Sequence, residues 1–176
     1  MRFDPQRHHR RSIRLAGFDY SQPGAYFVTI CTHNRELSLE AEAVKTAVLT
    51  AWDSLPGRFP HVALDEFVVM PNHVHGILMF GFVAETAEAT VVASSGGAAS
   101  GGAASSAPTL GRVVRAFKSV SAIEANRITG RSGQPFWQRN YYEHIIQDED
   151  ELNIIRQYIQ DNPLKWDEDP DNPANR

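Results

Sequence analysis

The chain has 176 residues, 42% of them hydrophobic and 22% charged, with a formal net charge of −4. That length suits one domain with a real core, and neither a bilayer-spanning apolar run nor a signal-peptide stretch at Met1–Arg7 is present, so a cytoplasmic protein with no membrane partner is expected. Cys31 is the single cysteine, which excludes an intrachain disulfide and a thiolate zinc cluster.

The negative total hides an uneven distribution. Residues 1–24 read as a basic arm in which Arg2, Arg7, Arg10, Arg11 and Arg14 face Asp4 alone across the first fourteen positions. For a polyanionic partner the local potential counts for more than the sum. Ala25–Thr32 (AYFVTICT) is rich in β-branched and aromatic residues and predicts a first strand. Over residues 39–55, Leu39, Ala43, Val44, Ala47, Val48 and Trp52 recur at helical spacing. Val62–Met70 and His73–Phe80 then predict an antiparallel strand pair broken by Pro71-Asn72.

The second of these strands carries His73-Val74-His75. Alternate side chains of a strand share a face, so both imidazoles project together while Val74 enters the core. Two imidazoles side by side on a rigid strand are a ready pair of divalent-metal ligands, with nitrogens expected about 3–4 Å apart. The plainer alternative is a pair of histidines on a solvated sheet face.

Residues 84–108 change character. Ser94–Ser106 is a Ser/Gly/Ala run too poor in large apolar groups to fold, and is expected to be a disordered insertion within one domain, because neither flank alone completes a sheet. Thr109–Lys118 predicts a helix with Leu110, Val113, Val114 and Phe117 on one side and Arg112, Arg115 and Lys118 on another. Phe136–Ile146 predicts a fourth strand, on which Tyr141 and Tyr142 face opposite ways. A final helix is expected from about Asp148 to about Asp161, with acidic residues in its first turn and Pro163 barring continuation. Residues 167–176 read as an acidic tail. The order β-α-β-β-α-β-α is the split βαβ arrangement of a ferredoxin-like α+β sandwich, an antiparallel sheet with an added C-terminal helix, in one domain over residues 1–166.

That added helix has a core stripe of Leu152, Ile155 and Ile159. Tyr158 and Asn162, four apart, stack beside it. A tyrosine there is ordinarily a core-edge aromatic. Near a divalent cation it can instead attack a phosphodiester, with Asn162 offering a third ligand oxygen at the negative end of the helix dipole. For that chemistry the helix has to cross the sheet face bearing His73 and His75, in its own chain or in a partner.

Pro71-Asn72-His73-Val74-His75-Gly76 resembles the His-hydrophobic-His motif of the HUH single-strand DNA endonucleases. Tyr158-Ile159-Gln160-Asp161-Asn162-Pro163-Leu164-Lys165 is similar to the tyrosine helix of the single-tyrosine transposases. Arg10-Arg11-Ser12-Ile13-Arg14-Leu15 with Tyr20-Ser21 and Ala25–Thr29, and Phe136–His144, resemble the REP-associated tyrosine transposases, over about residues 7–166. The resemblance implies a DNA nuclease and strand transferase that cleaves single-stranded DNA beside hairpins. It implies Mg or Mn held by His73, His75 and Asn162, and a 5′-phosphotyrosine at Tyr158. Insertion-sequence relatives usually carry glutamine where Asn162 stands. Arg10, Arg11, Arg14, Arg112, Arg115, Lys118 and Arg139 would contact DNA, the protein would work at the nucleoid, and it would be a monomer or a homodimer. Two other classes remain open. One is a non-catalytic nucleic-acid-binding module stacking bases on Tyr26, Phe27, Trp137 and Tyr141. The other is a metal-dependent hydrolase of small phosphate esters using water.

Overall fold

Four strands and four helices emerge from this pattern in the computed structural model, which describes residues 23–81, 109–169 and 171–175. Strands β1 (Gly24–Cys31), β2 (Val62–Met70), β3 (His73–Phe80) and β4 (Tyr142–Ile146) form one sheet in the order β2-β3-β1-β4, and every neighbouring pair is antiparallel. The chain order with helices α1 (Glu42–Asp53), α2 (Leu55–Arg58), α3 (Leu110–Thr129) and α4 (Glu149–Asp161) makes this the expected ferredoxin-like α+β fold.

Alternation along β1 and β3 divides the core in two. Tyr26, Val28 and Ile30 of β1 with Val74 and Leu78 of β3 face α1 and α3, where they meet Val44, Val48, Trp52, Val113 and Phe117. On the other face Phe27 and Ile77 join Tyr142 and Ile146 of β4 against Leu152, Ile155 and Ile159 of α4. Removing each of those three aliphatic side chains from water stabilises the packing by about 1.5–3 kcal/mol.

Gly76 lets the first face close tightly. A Cβ there would stand 2.7 Å from Trp52 and 2.8 Å from Phe67, whose rings stack at 4.2 Å. The bare backbone is what allows the indole to lie flat on the strand.

Several links fix α4. Asp148 caps it by accepting from the Glu151 amide at 2.8 Å, while the Glu151 carboxylate accepts from the Gln147 amide at 2.8 Å and from His144 Nε2 at 3.0 Å. Further along, Arg156 donates to both carboxylate oxygens of Asp65, at 2.9 and 2.6 Å, and Gln160 donates to Glu66 at 2.8 Å. Asp65 and Glu66 occupy the register irregularity of β2 between Leu64 and Phe67, so α4 is hooked to the sheet's outer edge on both sides of Tyr158.

Two sequence expectations need correction. The fourth strand begins at Tyr142, not Phe136. Residues before it pair only through an isolated Thr32–Trp137 bridge, while Lys118 pulls the carbonyls of Gln138 and Arg139 toward α3. The basic helix runs on past Lys118 to Thr129, ending at Gly130 in the left-handed conformation (φ 68°). The acidic stretch after residue 166 is structured among its described residues. It folds as short 3-10 turns over Asn162–Glu168 and Pro173–Asn175, and buries Asp171 and Asn172. The basic arm with Arg10, Arg11 and Arg14, and the low-complexity stretch of 84–108, lie outside the described residues.

Candidate active site

β3 presents His73 and His75 on the α4 face, as alternation requires, and both are 1% exposed. Their Nε2 atoms stand 3.0 Å apart. The outer nitrogens are held as well: His75 Nδ1 lies 2.8 Å from Thr29 Oγ1, its direct partner across β1, and His73 Nδ1 lies 2.8 Å from Asn72 Oδ1. The Asn72 amide nitrogen donates to the Asp171 carbonyl at 2.7 Å, which identifies its oxygen as the acceptor of a proton on His73 Nδ1. The other ring nitrogen, His73 Nε2, faces His75 Nε2. The Thr29 hydroxyl both donates and accepts, so it supports either tautomer of His75. Backing of a ring's far nitrogen in this way is what orients a ligating histidine.

Tyr158 meets the same face. Its ring centroid lies 5.3 Å from that of His75 and 6.0 Å from that of Phe27, which itself stacks on His75. The imidazole and the phenol thus belong to one chain. Burial pushes the Tyr158 phenol up to about 12, with Asp169 and Asp171 adding to the rise and a hydrogen bond from Asn162 opposing it. At neutral pH it is a protonated phenol.

Asn162, buried at the end of α4, donates its amide to the Tyr158 carbonyl at 3.0 Å. Tyr142 lies on the α4 face, 6.2 Å ring to ring from Phe27, and burial raises its phenol too. Tyr141 packs against the opposite core, as two neighbouring positions facing opposite ways should.

The C-terminal turns complete the surroundings. Trp166 tilts toward His73, with ring centroids 6.1 Å apart, and Asp169 Oδ2 lies 3.9 Å from His73 Nε2. Asp171 forms an ion pair with Arg35. Among the described residues no three His, Cys, Asp or Glu side chains are already gathered as a metal-ligand set. Sequence reasoning missed Thr29, Asn72, Asp169 and Asp171. Strand alternation gave a usable signal for Thr29 alone, since it shares the Phe27 face.

The basic residues divide. Arg112 and Arg115 are exposed on α3, across the sheet from the imidazoles, and Arg139 is exposed in the loop before β4. Lys118 instead donates to the carbonyls of Gln138 at 2.5 Å and Arg139 at 2.9 Å, and desolvation lowers its amine. Of the aromatics suggested as a base-stacking platform, Tyr26, Phe27 and Trp137 are buried at 1, 2 and 6% exposure, so no open platform exists there. No helix among the described residues is long and apolar enough to cross a membrane.

No protein-family model matches the chain. It is 37% identical over 172 residues to an uncharacterized protein of Haemophilus influenzae, covering 92% of each chain. The chain belongs to the family of that protein. A solved REP-associated tyrosine transposase bound to a REP hairpin is similar in fold, with a TM-score of 0.51 and 18% identity across 84% of this chain and 71% of that one.

Proposed function

We propose that the chain is a metal-dependent single-stranded DNA endonuclease and strand transferase, a transposase-like enzyme of the REP-associated tyrosine type, acting through a 5′-phosphotyrosine at Tyr158. The observation that carries this reading is the convergence of His73 Nε2 and His75 Nε2 at 3.0 Å with the Tyr158 ring beside them. The donor set offers a divalent cation two buried imidazoles, each oriented by an outer hydrogen bond to Thr29 or Asn72. A divalent cation held there supplies Lewis-acid polarisation of a phosphate oxygen.

The chain's own groups do the rest. Thr29 and Asn72 hold the rings, and the links from Arg156 and Gln160 to β2 hold the helix bearing the nucleophile. Tyr158 Oη forms a bond to the phosphorus and the P–O3′ bond breaks. The phenol loses its proton and the departing 3′ oxygen gains one. Attack by a 3′ hydroxyl on the phosphotyrosine reverses these changes and rejoins DNA. Burial pushes the phenol up to about 12, so its proton has to leave as the bond to phosphorus forms. Asn162, tied to the Tyr158 carbonyl, serves here to fix the end of the tyrosine helix.

The substrate class is a single strand flanked by a hairpin, consistent with the REP hairpin held by the transposase of similar fold. Arg112, Arg115 and Arg139, with Arg10, Arg11 and Arg14 of the arm, would contact phosphates; the cell's DNA places the work at the nucleoid.

Incubating the full chain with a hairpin-flanked single-stranded oligonucleotide and Mg or Mn tests the reading. A covalent protein–DNA adduct should form with wild type and Tyr142→Phe and vanish with Tyr158→Phe, while hairpin binding survives in all three. An adduct that persists without the Tyr158 hydroxyl sinks the assignment.

A further inference from the structure

The geometry points to Asp169 as a carboxylate ligand that joins His73 and His75 in holding the divalent cation. This rests on the metal-dependent reading above. Octahedral ligands with bonds near 2.1 Å and at right angles sit about 3.0 Å apart, which is the His73–His75 spacing. Asp169 Oδ2 approaches the same His73 nitrogen at 3.9 Å, so it needs to close by less than about 1 Å to reach that spacing.

Three features mark this approach as built. The Asp169 carboxylate is oriented, because its other oxygen accepts from the Asp171 amide at 2.6 Å. The segment is docked beside the histidines by the Arg35–Asp171 ion pair and by the Asn72 bond to the Asp171 carbonyl, and that same Asn72 side chain backs His73. Both side chains are shielded from water, with exposures of 1 and 9%.

The added ligand has a chemical consequence. Two imidazoles alone favour late divalent ions such as Zn2+, whereas a carboxylate oxygen shifts the set toward Mn2+ and Mg2+ and cancels one positive charge.

Mn2+ binding to the full chain without DNA, followed by the EPR signal of free ion and by calorimetry, separates the possibilities. Asp169→Asn should weaken Mn2+ binding at least tenfold, within or above the range typical of groups that support a ligand. Asp169→Glu should restore part of the loss, and Asp167→Asn, on the same segment but exposed, should bind within about twofold of wild type. Circular dichroism and thermal melting establish that each variant is folded, and a lasting loss in Asp169→Asn with partial recovery in Asp169→Glu identifies the carboxylate itself. Wild-type affinity in Asp169→Asn overturns the inference while leaving the histidine site standing, provided His75→Ala abolishes binding. If wild type binds no Mn2+, or His75→Ala binds as well as wild type, the metal reading fails and takes this inference with it.

Discussion

Gly76 is the position where one added methyl group has the most legible consequence. In Gly76→Ala the new Cβ would meet Trp52 at 2.7 Å and Phe67 at 2.8 Å, where ordinary contact begins near 3.4 Å. The rings must therefore retreat by roughly 0.7 Å. They have nowhere easy to go: Trp52 is 2% exposed, stacks on Phe67, and meets the edge of Phe117 at a centroid distance of 5.4 Å. Overpacking of this kind costs about 1–3 kcal/mol. The backbone gain from replacing glycine offsets about 0.5–1 kcal/mol. A net loss of about 1–2 kcal/mol follows, a Tm lowered by about 2–8 °C for a chain of this size. The methyl group points to the α1/α3 face, away from the imidazoles, so adduct formation at a permissive temperature should persist. Thermal melts of Gly76→Ala, Trp52→Leu and the double variant test the cause as well as the size, because the glycine substitution should cost markedly less once the indole is gone. A Tm equal to or above wild type, or an equal cost in both backgrounds, would refute the packing argument.

Two further predictions concern the site. The absorbance difference between wild type and Tyr158→Phe on alkaline titration should have its midpoint near pH 12 instead of the usual 10, since burial raises this phenol. Its folded value lies above its unfolded one, so the stability it contributes is complete below pH 10 and lost as pH climbs through 12; a midpoint at or below 10 would contradict the buried placement. Charge reversal at the exposed Arg115 should weaken hairpin binding and reduce the salt slope of log Kd by about one, and unchanged affinity and slope would show that this helix face is merely solvated.

What could be read from the residues follows from where large apolar groups sit. The β2–β3 pair and α4 were legible to within a residue, because Val, Ile, Leu and Phe mark their buried positions and Asp148 and Pro163 punctuate the ends. The second half of α3 was hidden for the opposite reason. Its buried positions are Ser121, Ala125 and Asn126, while Ile123 is 68% exposed, so the helical stripe is written in small and polar residues. Phe136 and Trp137 looked like strand residues because they are aromatic and buried. A tertiary partner decides otherwise, with the Trp137 indole donating to Ser121 Oγ at 2.9 Å. In the site, the histidine pair and Tyr158 were visible as motifs on one face. The fold of the acidic stretch was not legible, since no local pattern announces the Arg35–Asp171 ion pair or the turn in which the Asp171 amide donates to Asp169.

The kink in β2 has a consequence beyond holding α4. β2 is an outer strand of the sheet, and Phe67-Val68-Val69-Met70 is the kind of apolar, β-prone run that invites a strand from another molecule to add on. The irregularity at Asp65-Glu66 breaks the flat ladder such an intruder requires, and sets two carboxylates where its backbone would have to settle. Because Arg156 and Gln160 grip those same two carboxylates, protection against self-association and placement of the tyrosine are carried by one pair of side chains. Neutralising them to loosen the helix would also bare a sticky edge, so solubility and the placement of Tyr158 are not independently tunable.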